Sequence, residues 1–415
     1  MPRRVLALAT ATAAAALLAA ACSSGPQAAS GPPPAGKLPP VAQPAPGATR
    51  PPGCSTAVAP GRALDDSATH LQPLPGSPFA VVARGGWAFA GVGAGVAVLR
   101  ADGPRGWSLV RTIRLPGQGG RPVGLGEALT PDGRYLLVAG GSGASVLSVA
   151  RAESGASHPI LGALGDRYAA GGIEVTVSPD GRYAFVSMEG SAVIAVFRLQ
   201  QALTSGFGPA NLAGQIPTGL LPVGMAISPD GRWLYATSEL ASAHPRPRQA
   251  TGQGTVQVMS LSRAETSPAT AVLARVPAGC GPVRLAVSGS GQVIWVTARE
   301  SDAVVAFSAA RLRTDPGRAL LAWQRVGEAP VGLALVGNGT RLVVADSNRF
   351  NAAGRQASLA VVSTAAVLAG RPALLGYLPA GQFPRDVFAP PGGQQVLVAN
   401  YDSQRLETVW VPALP

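Results

Sequence analysis

The stretch VTVSPDGRYAF, residues 175–185, decides the fold, because the chain repeats it: MAISPDGRWLY stands at 225–235 and EALTPDGRYLL at 127–137. Pro-Asp-Gly after a short apolar run is a turn with a mechanism. Proline presets φ, aspartate bonds back to the backbone, and glycine supplies the positive φ that closes the turn. On either side, Val175, Val177, Tyr183 and Phe185 alternate with small or polar residues, the period-two pattern of strands. Each copy is therefore a β-hairpin. A third apolar run follows, such as SAVIAVFRL at 191–199, and then a weaker fourth, such as GQIPTG at 214–219. Four short strands make one small antiparallel sheet.

Aligning the turn glycines extends the series. Gly133, Gly181 and Gly231 are joined by degraded copies at Gly291, Gly339 and Gly393 and by a first copy at Gly85, with spacings of 48, 48, 50, 60, 48 and 54 residues. Seven four-stranded units at this period predict a seven-bladed β-propeller, since one such sheet cannot bury both faces and a ring of them can. The last unit has three clear strands, ending in LETVWVPAL at 406–414. The segment THLQPLPGSP at 69–78 is expected to supply the missing outer strand and lock the two chain ends into one blade. Apolar residues make up 47% of the chain but aromatics only 5%, so small Ala, Val, Gly and Leu must build the core.

The N-terminus reads differently. Arg3 and Arg4 precede an uncharged run to Ala21 that is short for a spanning helix and has the layout of an export signal, residues 1–21. Ala19-Ala20-Ala21-Cys22 followed by Ser-Ser-Gly resembles a bacterial lipobox. That resemblance implies lipidation of Cys22 and anchoring to the outer face of the cytoplasmic membrane or cell envelope; the alternative is a plain secretory signal. Residues 22–65 are rich in Pro, Gly, Ala and Ser and read as a disordered, semi-extended tether before a propeller at 66–415. Cys54 and Cys280 remain as an even pair in an oxidising compartment: either a disulfide that pins the tether or two free thiols. The net charge is +12, yet Lys37 is the only lysine and the arginines are scattered, which argues against nucleic acid as a partner.

PVGMAISPDGRWLYATSE (222–239), PVGLALVGNGTRLVVADSN (330–348) and VFAPPGGQQVLVANYDSQ (387–404) resemble the YVTN-type repeats of lactonase-like seven-bladed propellers, VLVAN at 396–400 coming nearest to the tetrapeptide that names them. The resemblance covers about residues 70–415 and implies the fold; propellers of this kind serve many roles.

Candidate ligand residues come from the face opposite the PDG turns, where the chain enters each innermost strand and where the second strand passes to the third. The aligned entering residues are Gly126, Glu174, Gly224, Arg284, Gly332 and Asp386, with Arg385 beside the last, and they are expected to ring the mouth of the central channel. At the ends of the second strands stand Asp346 and Asn400, with Glu189, Glu239, Arg299, Tyr401 and Asp402 just beyond such ends, and two long loops, 238–255 and 346–358, lie on this face, the first carrying His244. The expected site is a polar, mixed-charge pocket in which arginines could hold a carboxylate or phosphate.

The histidines, His70, His158 and His244, fall in three separate places without metal-ligand spacing, and no nucleophile elbow, HExxH or phosphate loop is present. The expected function is thus a surface-anchored, non-catalytic binding or scaffold module. Its ligand would be a small molecule, glycan or protein; it would need no cofactor or metal and would act as a monomer. The alternative is an exported lactonase-type hydrolase, for which Glu174, Arg284 and His244 would have to converge at the channel mouth.

Overall fold

The computed structural model describes residues 36–54, 58–65, 69–116, 125–241, 252–350, 356–390 and 392–415. The export segment 1–21, Cys22 and His244 lie outside the described residues. Seven four-stranded antiparallel sheets follow one another along the chain. Blades 1 to 6 occupy 81–114, 127–165, 172–217, 220–280, 282–325 and 330–379. Blade 7 takes three strands from 384–410, and its outer strand is Thr69–Pro73, paired antiparallel with Arg405–Trp410 from Thr69↔Val409 to Pro73↔Arg405. The chain ends thus close the ring in a single sheet.

The repeated turn works as its residues require. In blade 3 Asp180 Oδ1 accepts from the Arg182 amide at 3.0 Å and Gly181 sits at φ +71°. Ser178 adds a bond the motif reading omitted, accepting from the Tyr183 amide at 2.9 Å. Thr130 and Ser228 do the same in blades 2 and 4. In blade 7 the left-handed turn residue is Gly392 and not Gly393.

Seven hydrophobic clusters fill the seven gaps between neighbouring blades. They are built chiefly from buried Val, Ala and Leu, as thin, closely stacked sheets demand. Short helices at 149–154, 199–205, 261–266, 309–314 and 364–368 join third to outer strands on the PDG-turn side. Four of them begin at a serine whose hydroxyl accepts from the backbone three residues on: Ser148, Ser260, Ser308 and Ser363. Arg198 occupies that place in blade 3 and provides no side-chain cap.

Residues 36–54 and 58–65 depart from the expectation of a free spacer. They lie as an extended strap against the outer edges of blades 4, 5 and 6, crossing from blade 4 to blade 5, back to blade 4 at Pro52 and Cys54, and on to blades 5 and 6. Val41 pairs in parallel with Arg275 and Ala63 with Tyr377. Between them the amides of Ala45 and Ala59 donate to the carbonyls of Gly317 and Val326 at 2.9 Å each. The Pro52 carbonyl accepts from Gln253 at 3.1 Å and from Ser301 at 3.4 Å. A chain with few apolar side chains can dock this way because the contacts are backbone ones: outer strands present a row of unpaired amides and carbonyls. A Cβ on Gly317 would stand 2.9 Å from the Gln43 carbonyl oxygen, so glycine permits the approach. Cys54 is bonded to Cys280, at the end of the outer strand of blade 4, with 5.3 Å between Cα atoms. The bridge therefore ties residue 54 to the crossing from blade 4 to blade 5.

Candidate functional site

Five innermost strands share an irregularity at their start: the register shifts between Gly172 and Glu174, Pro222 and Met225, Pro282 and Leu285, Pro330 and Leu333, and Pro384 and Asp386. A bulge re-aims side chains, and here it turns one residue per blade toward the ring axis. Val223, Val283 and Val331 meet there with Phe383, while Phe79, Ala80 and Ile173 meet with Leu125 and Tyr401. The mouth therefore has an apolar collar, where a wholly polar pocket was expected. Arg385 holds the corresponding position in blade 7 and is the one charged member of the series.

The aligned ring of Gly126, Glu174, Gly224, Arg284, Gly332 and Asp386 packs sideways onto the next blade. A Cβ on Gly126 would lie 2.8 Å from the Glu174 Cα, one on Gly224 2.9 Å from the Arg284 Cα, and one on Gly332 2.9 Å from the Asp386 Cα. Glycines in blades 2, 4 and 6 thus make room for charged residues in blades 3, 5 and 7. Because Gly224 has no side chain, Glu174 and Arg284 reach past blade 4 and form an ion pair. Asp386 Oδ2 accepts from the Val81 amide at 3.1 Å and so ties blade 7 to blade 1. Thr237 and Thr297, at the ends of second strands, donate to the Val283 and Val331 carbonyls at 2.6 and 2.7 Å. Each also accepts from the bulge amide of its own blade, Gly224 at 3.0 Å and Arg284 at 3.1 Å.

Above the collar the second-to-third-strand loops carry interacting charges. Arg299 holds Glu239 with two bonds, 3.1 and 2.8 Å, and lies 3.6 Å from Glu300. Burial, reinforced by Glu239, raises the pKa of half-buried Glu189, against the pull of Arg385, Arg299 and Arg349. The guanidinium of Arg349 lies 5.8 Å from the Phe383 ring centre, beside a cleft of about 420 Å³ between blades 6 and 7 that Gln382 and Asp402 also line. Arg385 stacks on Phe79 at 3.7 Å, with Phe383 and Tyr401 at 5.5 and 5.7 Å. Burial first, then the nearby charges of Arg284 and Arg349, lowers its pKa to about 9, so it stays cationic at neutral pH.

Two candidates lie elsewhere than expected. Asp346 is buried beneath the face against Ser358, and burial raises its pKa well above the usual carboxylate range. Asn400 is buried and donates to Glu407 at 2.8 Å, so its amide holds the blade together. Sequence reasoning placed Arg299 and Tyr401 on this face but missed the aromatic partners Phe79 and Phe383 and the loop charges Glu300 and Arg349. Their common signal is position, one to three residues outside a strand end. It also missed Glu127, a buried carboxyl where the other blades carry apolar residues such as Val175 and Leu285; burial and then Asp386 raise its pKa well above the ordinary value. No group of His, Cys, Asp and Glu side chains suited to a metal occurs among the described residues.

Among solved structures, the chain is similar to one from Kuenenia stuttgartiensis hydrazine synthase, at 18% identity and TM-score 0.62, covering 81% of this chain and 96% of that one. It is also similar to a functionally unknown protein from Desulfotomaculum acetoxidans DSM 771, at 13% identity and TM-score 0.53, covering 73% and 86%. A chain of the mitotic checkpoint complex gives 13% identity and TM-score 0.58, covering 82% and 93%. At such identities the likeness is one of fold. No protein-family model and no curated protein matches the sequence.

Proposed function

We propose that this protein is a non-catalytic binding module of the YVTN-type propellers, exported and held at the cell surface by lipid on Cys22, with its ligand seated on the loop-rich face. The observation that supports the face is the concentration there of interacting charges, Glu239 and Arg299 buried and Glu189, Glu300, Arg349 and Arg385 partly so, around an apolar collar. The PDG-turn face is built differently: its aspartates are engaged by their own turns. Rigid blades with polar groups on their loops are a common way to present a site.

The alternative, a lactonase-type hydrolase, draws support from the contact between Glu174 and Arg284. In that contact, however, the carboxylate is neutralised by the guanidinium and is a poor general base. Thermal-shift screening of the purified chain against sugars, lactones, organic anions and divalent cations tests the reading, because a ligand raises the melting temperature by mass action. A hit lost in Arg349→Gln and Arg385→Gln supports it. Lactone turnover abolished by Glu174→Gln would replace it with the hydrolase.

A further inference from the structure

We propose that Arg385 and the rings around it form a receptor for a small organic carboxylate with an apolar body; this rests on the loop-rich face being the binding face and adds the ligand's chemistry. Around the axis, bulged positions that are apolar in other blades become arginine only in blade 7. Among the described residues no carboxylate forms a salt bridge with Arg385; Glu189, the acid that attracts it, does so from beyond salt-bridge distance. The acids nearest in the ring are committed elsewhere: Glu174 to Arg284 and Asp386 to the Val81 amide. Its Nε is buried without a hydrogen-bond partner. A desolvated cation without a counter-ion is costly, and an anionic ligand removes that cost.

The geometry selects the kind of anion. Phe79 covers one face of the guanidinium at 3.7 Å, and stacking leaves the in-plane N–H groups available for the two-pronged bond a carboxylate offers. Phe383 and Tyr401, tilted rings 5.5 Å apart and partly exposed, stand beside it over the buried Val283 and Val331 and supply the apolar surface. A ligand that brings one carboxylate and an aliphatic or aromatic tail satisfies both halves. Inorganic phosphate would satisfy the charge and leave the collar uncovered.

Benzoate, hexanoate, benzamide and inorganic phosphate are the probes, titrated calorimetrically into the full chain. Benzoate and hexanoate are expected to bind, with benzamide silent and phosphate weaker. Arg385→Gln should weaken benzoate roughly ten- to hundredfold, the loss of a charged hydrogen-bonded pair. Should that variant fail to fold, Phe383→Ala replaces it and should weaken hexanoate while sparing phosphate. Full benzoate affinity in folded Arg385→Gln overturns the proposal, as does phosphate binding as tightly as benzoate or no binding by either carboxylate. Benzoate binding lost in Arg349→Gln but kept in Arg385→Gln would remove this receptor and keep the face; indifference to both substitutions would remove the face as well.

Discussion

Half of the ring wears the strap and half does not. The outer strands of blades 4 and 6, Val272–Cys280 and Leu374–Pro379, and the residues flanking that of blade 5, Leu320–Arg325, receive backbone hydrogen bonds from residues 36–54 and 58–65. Among the described residues no such bond reaches the outer strands of blades 1, 2 and 3, Gly106–Arg114, Ile160–Gly165 and Leu212–Pro217. Blade 1 leaves Leu109 and Val110 exposed on its long outer strand, with Arg111 and Arg114 alongside. Charged residues on an edge discourage pairing with another chain. The strapped blades therefore satisfy their outer edges with the molecule's own backbone, and blade 1 guards its edge with arginine. The two solutions should differ in stability, and four measurements break or sharpen the contrast.

The largest effect belongs to the axis, which both halves share. Arg284→Ala leaves Glu174 buried without its partner and should cost about 3–5 kcal/mol in denaturant unfolding, with amide exchange rising in strapped and bare blades alike. A loss confined to blade 5 would show that the pair does not couple the halves. Next, reducing the Cys54–Cys280 bridge, or replacing Cys54 by Ser, should cost about 2–4 kcal/mol, because it closes a long loop. Here exchange should quicken in the outer strands of blades 4 to 6 and stay unchanged in those of blades 1 to 3. Uniform quickening would break the comparison.

Glu127 probes the bare half through pH. Its folded pKa is raised above 4.5, so the fold prefers the protonated form: no penalty exists below about that pH, and a penalty grows as pH rises toward the folded value. Glu127→Gln should therefore stabilise the fold at neutral pH by on the order of 1 kcal/mol, read as a higher melting temperature, and the gain should vanish near pH 4.5. A gain that persists in acid would assign the effect to packing. The smallest effect is at the helix caps. Arg198→Ser in blade 3 should add a few tenths to about 1 kcal/mol, and Ser308→Ala in blade 5 should remove about as much.

The fold was legible because its determinants are local. Each Pro-Asp-Gly turn sets its own hairpin, and the period set the number of blades; the closing strand followed from counting three strands where four were needed. The site was legible only in its first layer. Glu174, Arg284, Arg385 and Asp386 could be placed by alignment, but who pairs with whom depends on which neighbours lack a side chain, as Gly224 does between Glu174 and Arg284. Asp346 and Asn400 occupy strand ends that face inward, and a one-residue difference at a strand end separates a ligand residue from a buried one. The docked strap was hidden because backbone hydrogen bonding leaves no trace in side-chain composition.

The alternation of small and charged residues around the axis carries an arithmetic of its own. Two kinds of seat can alternate without fault only around an even number of places. A ring of seven must break the rule once, and here Ala80 of blade 1 stands next to Gly126 of blade 2, small beside small. The fault falls beside the seam where the two chain ends share a sheet, and the buried Glu127 and the overlapping ring of Phe79 gather in the same neighbourhood. Parity thus marks one sector of a near-symmetric wheel as different from the other six.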